Sequence, residues 1–292
     1  MVTDIPISKI MTKREKLVCL NIPGNRDILL ETIQKTGLSV YPVLKENSDT
    51  LVGVVSRSDL FRNPSETQLS LLMKRDVITL RPSDTIIKAA KIFAREIFQR
   101  IPITDENGQL RGLISRTDIV RMVINPSKLE ADVKDYFNKN VTTIWEETPI
   151  TVAARVMRLS HQKGIPVINE SEMVGIISQN DFLKVVQILD TQSKSLTGHG
   201  AENDSSSWDS ESVLIIGAKI LTLPRDLKVR EIMERNIEIC YQDSTISEVC
   251  RKMVTKKIDQ LPVVDVDGEV TGIINQKDVI RAYIDFYNAN PP

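Results

Sequence analysis

Four short elements place a hydroxyl or amide side chain three residues ahead of an aspartate: Ser56 with Asp59, Ser115 with Asp118, Ser178 with Asp181, and Asn275 with Asp278. A carboxylate that opens a helix in this way has two uses. It can reach back to a free backbone N–H as one half of a capping box. It can also accept both hydroxyls of a ribose while the serine hydroxyl and the helix N-terminus face a phosphate. The residues alone leave both uses open, and what separates them is whether other phosphate-directed groups converge. Arg100, ahead of the second element, carries a guanidinium that can fork two bonds to the oxygens of an anion. A charge pair at roughly 4 Å is worth about 4 kcal/mol at an effective dielectric near 20, before desolvation is subtracted. Lys163 and Lys277 are further cations beside the third and fourth elements.

Other chemistry has little to stand on. His161 and His199 are the two histidines, and neither sits in an HxxxH or HExxH spacing, so no metal site is expected. Cys19, Cys240 and Cys250 form no CxxC pair and no disulfide framework. There is no GxxxxGK[ST] loop, no GxGxxG fingerprint and no Cys/His or Ser/His constellation, so the chain is not expected to be an enzyme.

The elements that carry these residues recur four times. A glycine stands six residues before each aspartate, at Gly53, Gly112, Gly175 and Gly272. Upstream lies an apolar-Pro-apolar strand: Tyr41-Pro42-Val43, Ile101-Pro102-Ile103, Ile165-Pro166-Val167 and Leu261-Pro262-Val263. Turn formers separate strand from glycine, Glu46-Asn47-Ser48-Asp49, Asp105-Glu106-Asn107-Gly108, Asn169-Glu170-Ser171 and Asp267-Gly268, so each unit contains a β-hairpin with a variable tip. Ahead of the hairpin, Ile86, Ala89, Ala90, Phe93 and Ile97 recur at helical spacing, as do Ile246, Val249, Cys250 and Met253, which makes Cys250 a core position. Short β-like segments precede those helices, at Val77–Leu80 and Val141–Ile144, and an apolar helix follows each aspartate. Each unit therefore reads strand, helix, strand, strand, helix.

Successive prolines lie 60, 64 and 96 residues apart, so an insert precedes the fourth unit. It contains Ser193 to Gly200 and Asn203 to Ser207, polar stretches expected to form a mobile linker, and then Val213 to Ile216, which suits a short strand or helix. The 292 residues are 41% hydrophobic and 26% charged with a net charge of -1, ordinary globular usage that gives no global basic excess for nucleic acid. No signal peptide or membrane span is legible, and a cytoplasmic protein is expected.

The hydrophobic-Pro-hydrophobic strand and the Gly-x-x-Ser-x-x-Asp signature, four times in register with Asn275 in place of the serine in the fourth, resemble the cystathionine-β-synthase (CBS) domain family. The resemblance implies an α+β fold of four tandem β-α-β-β-α repeats packed as two Bateman modules, as in the γ subunit of AMP-activated protein kinase and in stand-alone CBS proteins. The repeats would span 7–62, 69–125, 132–189 and 227–287, with 190–226 a partly disordered linker. It further implies a non-enzymatic regulator that binds AMP, ADP, ATP or S-adenosylmethionine in clefts between paired repeats and acts on an unidentified effector protein, with a homodimer left open. The alternative is an interaction scaffold with vestigial pockets. Carried onto this chain, the family pattern gives Thr79, Gln99, Arg100, Pro102, Ser115 and Asp118 in the second repeat. In the third it gives Thr143, Lys163, Pro166, Ser178 and Asp181, and in the fourth Lys277 and Asp278. His161 is expected on the surface. The first repeat, with Ser39-Val40 before its proline and a weakly periodic helix, is expected to contribute least. Arg100 and Asp259 are taken as equivalent, so the clefts are expected to differ in ligand charge, the fourth repeat tolerating a neutral or cationic adenosyl group.

Overall fold

The computed structural model describes residues 5–63, 65–96, 98–124, 129, 131–170, 172–196 and 213–290. The first repeat opens on β1 (Thr12–Lys13) and continues through β2 (Leu20–Ile22), α1 (Arg26–Thr36), β3 (Val40–Lys45), β4 (Leu51–Ser56) and α2 (Arg57–Arg62). The short α3 (Leu69–Leu72) leads to the second repeat, α4 (Ile86–Arg95), β5 (Arg100–Thr104), β6 (Leu110–Ser115) and α5 (Arg116–Ile124). The third holds β7 (Ile144–Trp145), α6 (Ile150–Ser160), β8 (Gly164–Asn169), β9 (Glu172–Ser178) and α7 (Gln179–Val185). After β10 (Gln187–Leu196), β11 (Val213–Thr222) and α8 (Val229–Ile232) comes the fourth: β12 (Cys240–Tyr241), α9 (Ile246–Lys256), β13 (Gln260–Val264), β14 (Val270–Asn275) and α10 (Gln276–Ala289).

Each hairpin is antiparallel, and its apolar-Pro strand takes a short parallel neighbour on the other side, as β2 beside β3 or β12 beside β13. Gly108 and Gly268 hold positive φ of 74° and 83° in the tips, where an L side chain would be strained. The helices begin where the sequence supplies caps: the Asn25 side chain accepts from the Ile28 N–H and Thr85 from Lys88, while Thr245 and Glu248 close a capping box on α9. Their apolar stripes then face the sheet, with Ile86, Ala89, Ala90 and Phe93 buried on α4, and Cys250 buried on α9 with its thiol pushed up to about 12 by desolvation. Ile97 lies outside the described residues.

Two expectations change. The segments Val77–Leu80 and Val141–Ile144 are hardly strands: only Leu80 bridges Ile103, and only Ile144 with Trp145 pairs with β8. The reason is that Lys74 still belongs to the first sheet, bridging Val54, so residues 77–79 are spent crossing to the second. The insert is also more regular than a linker at its ends. β10 and β11 pair antiparallel from Gln187 opposite Thr222 to Leu196 opposite Val213, consistent with the strand preference of Val213 to Ile216. Ser193 to Leu196 therefore lie in a strand; His199 and Asn203 to Ser207 lie outside the described residues.

The cores are exchanged between neighbours. Ile7, at the start of the first repeat, is buried in the core of the second, and β1 pairs with β6. Leu69, Leu72 and Met73, at the start of the second repeat, are buried in the core of the first. Likewise Leu129, Val133 and Phe137 enter the fourth core, and Val229 and Met233 the third. Each crossing is tied by paired backbone bonds, such as Asn138 N–H to Ile273 O and Ile273 N–H to Asn138 O, both 2.9 Å. The repeated glycine is what lets the crossing chain close in. A Cβ on Gly112 would stand 2.8 Å from Met11 Sδ, and one on Gly272 would stand 2.5 Å from both Asn138 O and Phe137 Cδ2. Two modules result, repeats one with two and three with four. They meet where α10 packs on α4 and α5 and α5 packs on α9, so the second repeat faces the fourth.

Candidate ligand-binding site

Every Ser-x-x-Asp element closes its helix cap. One oxygen, Oδ2, of Asp59, Asp118 and Asp181 accepts from both the backbone N–H and the hydroxyl of its serine at 2.6–2.8 Å, and Asp278 accepts the Asn275 N–H at 3.0 Å. The other oxygen differs. Oδ1 of Asp181 takes Lys184 Nζ at 2.7 Å, while Oδ1 of Asp118 and of Asp278 lies 3.6 Å from Arg121 and Arg281. Capping thus uses one edge of each carboxylate and leaves the second edge for other partners.

Facing repeats are stitched together beside these caps. Gln276 Nε2 donates to Thr117 Oγ1 at 3.0 Å and Gln99 Nε2 to Asp259 Oδ2 at 3.1 Å, joining the second repeat to the fourth. Ser58 Oγ donates to Gln179 Oε1 at 3.1 Å, joining the first to the third. Between the first and third repeats the packing leaves a cavity of about 1630 Å³ that reaches residues of all four repeats.

The CBS domain family matches the chain at residues 7–66, 69–125, 133–188 and 229–285, most of its length. The chain belongs to the CBS-domain family. Among its relatives, protein MJ1225 of Methanocaldococcus jannaschii is 23% identical over 274 residues, covering 87% of this chain and 90% of the relative. Its crystal structure, of a protein proposed to be an archaeal homologue of γ-AMPK, superposes with a TM-score of 0.77 over 96% of this chain and 100% of the other at 21% identity. Protein MJ1426 of the same organism is 28% identical over 176 residues, 56% of this chain and 100% of the relative. A conserved protein of Pyrococcus horikoshii superposes at 0.63 with 25% identity, covering 95% and 99%.

Of the residues that the CBS pattern singled out, Gln99, Arg100, Ser115, Lys163, Ser178 and Asp181 line the cavity. Thr79 and Thr143 are exposed elsewhere, and Pro102 and Pro166 are buried within their hairpins opposite Leu113 and Ile176. Asp118 and Asp278 lie off the cavity because the second and fourth CBS repeats are packed against each other there, and burial raises the Asp278 carboxyl. Lys277 Nζ reaches the Arg95 carbonyl at 3.4 Å.

The first CBS repeat contributes more than its sequence promised. Ser39, Ser56, Arg57 and Asp59 line the cavity, because α1 forms on its Asn25 cap and buries Leu29, Leu30 and Ile33 despite its weak periodicity. His161, exposed as expected, caps α6 in the left-handed region (φ 55°) and also stands at the rim, near Arg155 and Arg158 on the same helix. The spacing of those two arginines, one turn apart before a cap, was the available signal.

Buried cations dominate the centre. Arg57 and Arg116, first residues of α2 and α5, are 7% and 8% exposed. The Nη2 of Arg57 donates to the carbonyls of Gly37 and Leu38 at the end of α1, and that of Arg116 to Phe93 and Glu96 at the end of α4, where the helix dipole favours a cation. Burial lowers Arg116 to about 10 and Lys163 to about 8; Asp259 opposes the shift in both. Arg100 is lowered by burial and supported by Asp118. Sheet register also corrects one equivalence: Arg100 pairs with Ser115 and Gln260 with Asn275, so Asp259 matches Gln99, its own hydrogen-bond partner. Asp259 therefore shares one cavity with the cations and makes no separate acidic cleft. No metal-binding group of His, Cys, Asp and Glu occurs among the described residues, and none of their helices is long and apolar enough to cross a membrane.

Proposed function

We propose that this chain is a regulatory sensor that binds an adenosyl compound, AMP, ADP, ATP or S-adenosylmethionine, in the cavity between its CBS modules and thereby alters a partner protein. One observation carries the reading. A single cavity gathers Asp59 and Asp181, each with its serine, together with Arg57, Arg100 and Lys163, which are the groups a ribose and a phosphate need. The excess of cations over Asp259 favours the phosphorylated ligands, because phosphate oxygens gain charge-assisted bonds that a sulfonium cannot. A ligand shifts the modules only by as much as its affinities for the two arrangements differ. The sensor performs no catalytic step.

Calorimetric titration of AMP, ATP and S-adenosylmethionine into the wild type and Arg100→Ala tests the reading. AMP should bind the wild type and lose roughly tenfold or more in the variant, about 1.4 kcal/mol. Unchanged AMP affinity in the variant removes Arg100 from the site. Absence of binding by all three compounds leaves the scaffold alternative.

A further inference from the structure

The insert ahead of the fourth repeat builds a sheet of its own. β10 and β11 run antiparallel from Gln187 opposite Thr222 to Leu196 opposite Val213, and neither pairs with any other strand among the described residues. A two-stranded ribbon is marginally stable in water by itself, and further strands are what make such a sheet persist. Its outer edges also present backbone N–H and C=O groups without a ladder partner, a template for another chain. The ribbon is rooted where the modules meet. Val186, the residue before β10, packs against the core of the first repeat, and Leu223, the residue after β11, against that of the third.

The two edges differ in what they can pair with. β11 carries Lys219 and no acid, so no register of β11 against a second β11 balances its charge. β10 carries one acid and one base, Asp190 and Lys194, placed symmetrically about Gln192. An antiparallel pair of two β10 strands with its two-fold axis at Gln192 sets Asp190 of each copy opposite Lys194 of the other. The same register sets Ile188 opposite Leu196 and Thr191 opposite Ser193, twice each. Opposite charges, apolar pairs and hydroxyl pairs at facing positions all favour a sheet. A slip of one residue sets Asp190 against Ser193 or Ser195 and loses the charge pairs. Within the ribbon Lys194 stands opposite Ile215, so the register with β11 offers it no acid.

We propose that β10 is a dimerisation edge: a second copy of this chain adds its own β10 antiparallel to the first, giving a four-stranded sheet in the order β11-β10-β10-β11. Strand addition of this kind draws its affinity from main-chain hydrogen bonds and its register from the facing residues. The interface is isologous, as a two-fold dimer requires, because the same residues serve both copies. The inference rests on the insert alone and is independent of whether a nucleotide binds.

Sedimentation equilibrium of the full chain tests it. The wild type is expected to be a dimer at tens of micromolar. Asp190→Lys and Lys194→Asp each replace two opposite-charge pairs by two like-charge pairs, and each alone is expected to weaken association by roughly tenfold. An equimolar mixture of the two variants regains both opposite-charge pairs and is expected to associate as the wild type does. Asp190 also stands opposite Lys219 in its own ribbon, so restoration in the mixture is what separates pairing between chains from damage within one. Gln192→Cys gives a second readout. Position 192 faces itself across the two-fold axis, so mild oxidation should link two chains there much faster than through Thr191→Cys. A wild type that stays a single chain at hundreds of micromolar, leaving the edge to some other protein's strand, overturns the proposal. So do variants that associate as tightly as the wild type, a mixture no better than its components, or equal cross-linking at positions 191 and 192.

Discussion

Lys163 is held down to about 8 by burial, against an ordinary lysine value near 10.5, with Arg116 lowering it further and Asp259 opposing. Between those two values the unfolded chain binds more protons than the folded one, so the ligand-free protein gains stability as pH rises from about 8 towards 10.5 and is insensitive to this group below 8. Binding of a phosphorylated ligand, as the proposed function requires, would carry the opposite sign, because a neutral lysine offers no charge to a phosphate whose own second ionisation, near 6, is already complete. Melting temperature against pH, with and without AMP, should therefore show the bare protein rising and the ligand-induced increment shrinking above pH 8. Lys163→Arg, charged throughout, should flatten both trends; an increment independent of pH in the wild type would exclude Lys163 from the phosphate contacts of the proposed ligand site. Arg100 and Lys163 were legible as cations beside a strand. Arg57 and Arg116 were not, because each sits where a local role, closing the end of the preceding helix, accounts for it, and only the docking of facing repeats brings them together.

The glycine of each Gly-x-x-Ser-x-x-Asp element is fixed by a neighbour from the other repeat of its module. Gly112→Ala would push a methyl against Met11 and the Thr12 carbonyl, and Gly272→Ala against Phe137 and the Asn138 carbonyl. Overpacking of this kind typically costs about 1–3 kcal/mol. Chemical denaturation should show each variant with a lower midpoint and an unchanged slope, whereas wild-type stability in both would mean that the crossing segments do not press on the hairpins. The hairpins and the main helices were legible because turn residues and apolar periodicity are local signals. The crossing segments were not. The elements that carry them run only three or four residues, Ile7–Lys9, Leu69–Leu72, Val133–Asp135 and Val229–Ile232, too short for a period to emerge, and their apolar residues are satisfied by a core that begins dozens of residues away.

At the scale of the molecule, the four repeats are two interlaced modules joined tightly on one side and loosely on the other. The second and fourth repeats pack helix on helix, with Val120 and Val123 of α5 in the fourth core and Ile280 of α10 in the second. The first and third meet through the short α2 and α7, with Ser58 bonded to Gln179 and Leu183 in the first core, and the cavity opens beside them. Under the proposed function, a ligand in that cavity would touch both modules, and its occupancy would then change the surface offered to a partner. The repeat count was legible from the sequence alone, whereas which repeats face each other depends on long-range packing that no local pattern encodes. Native mass spectrometry of the full chain, incubated with tens of micromolar AMP, ATP or S-adenosylmethionine, addresses the central claim most directly. The expected result is a chain heavier by the mass of at least one phosphorylated adenosyl ligand; a chain that keeps its bare mass with all three compounds would contradict it.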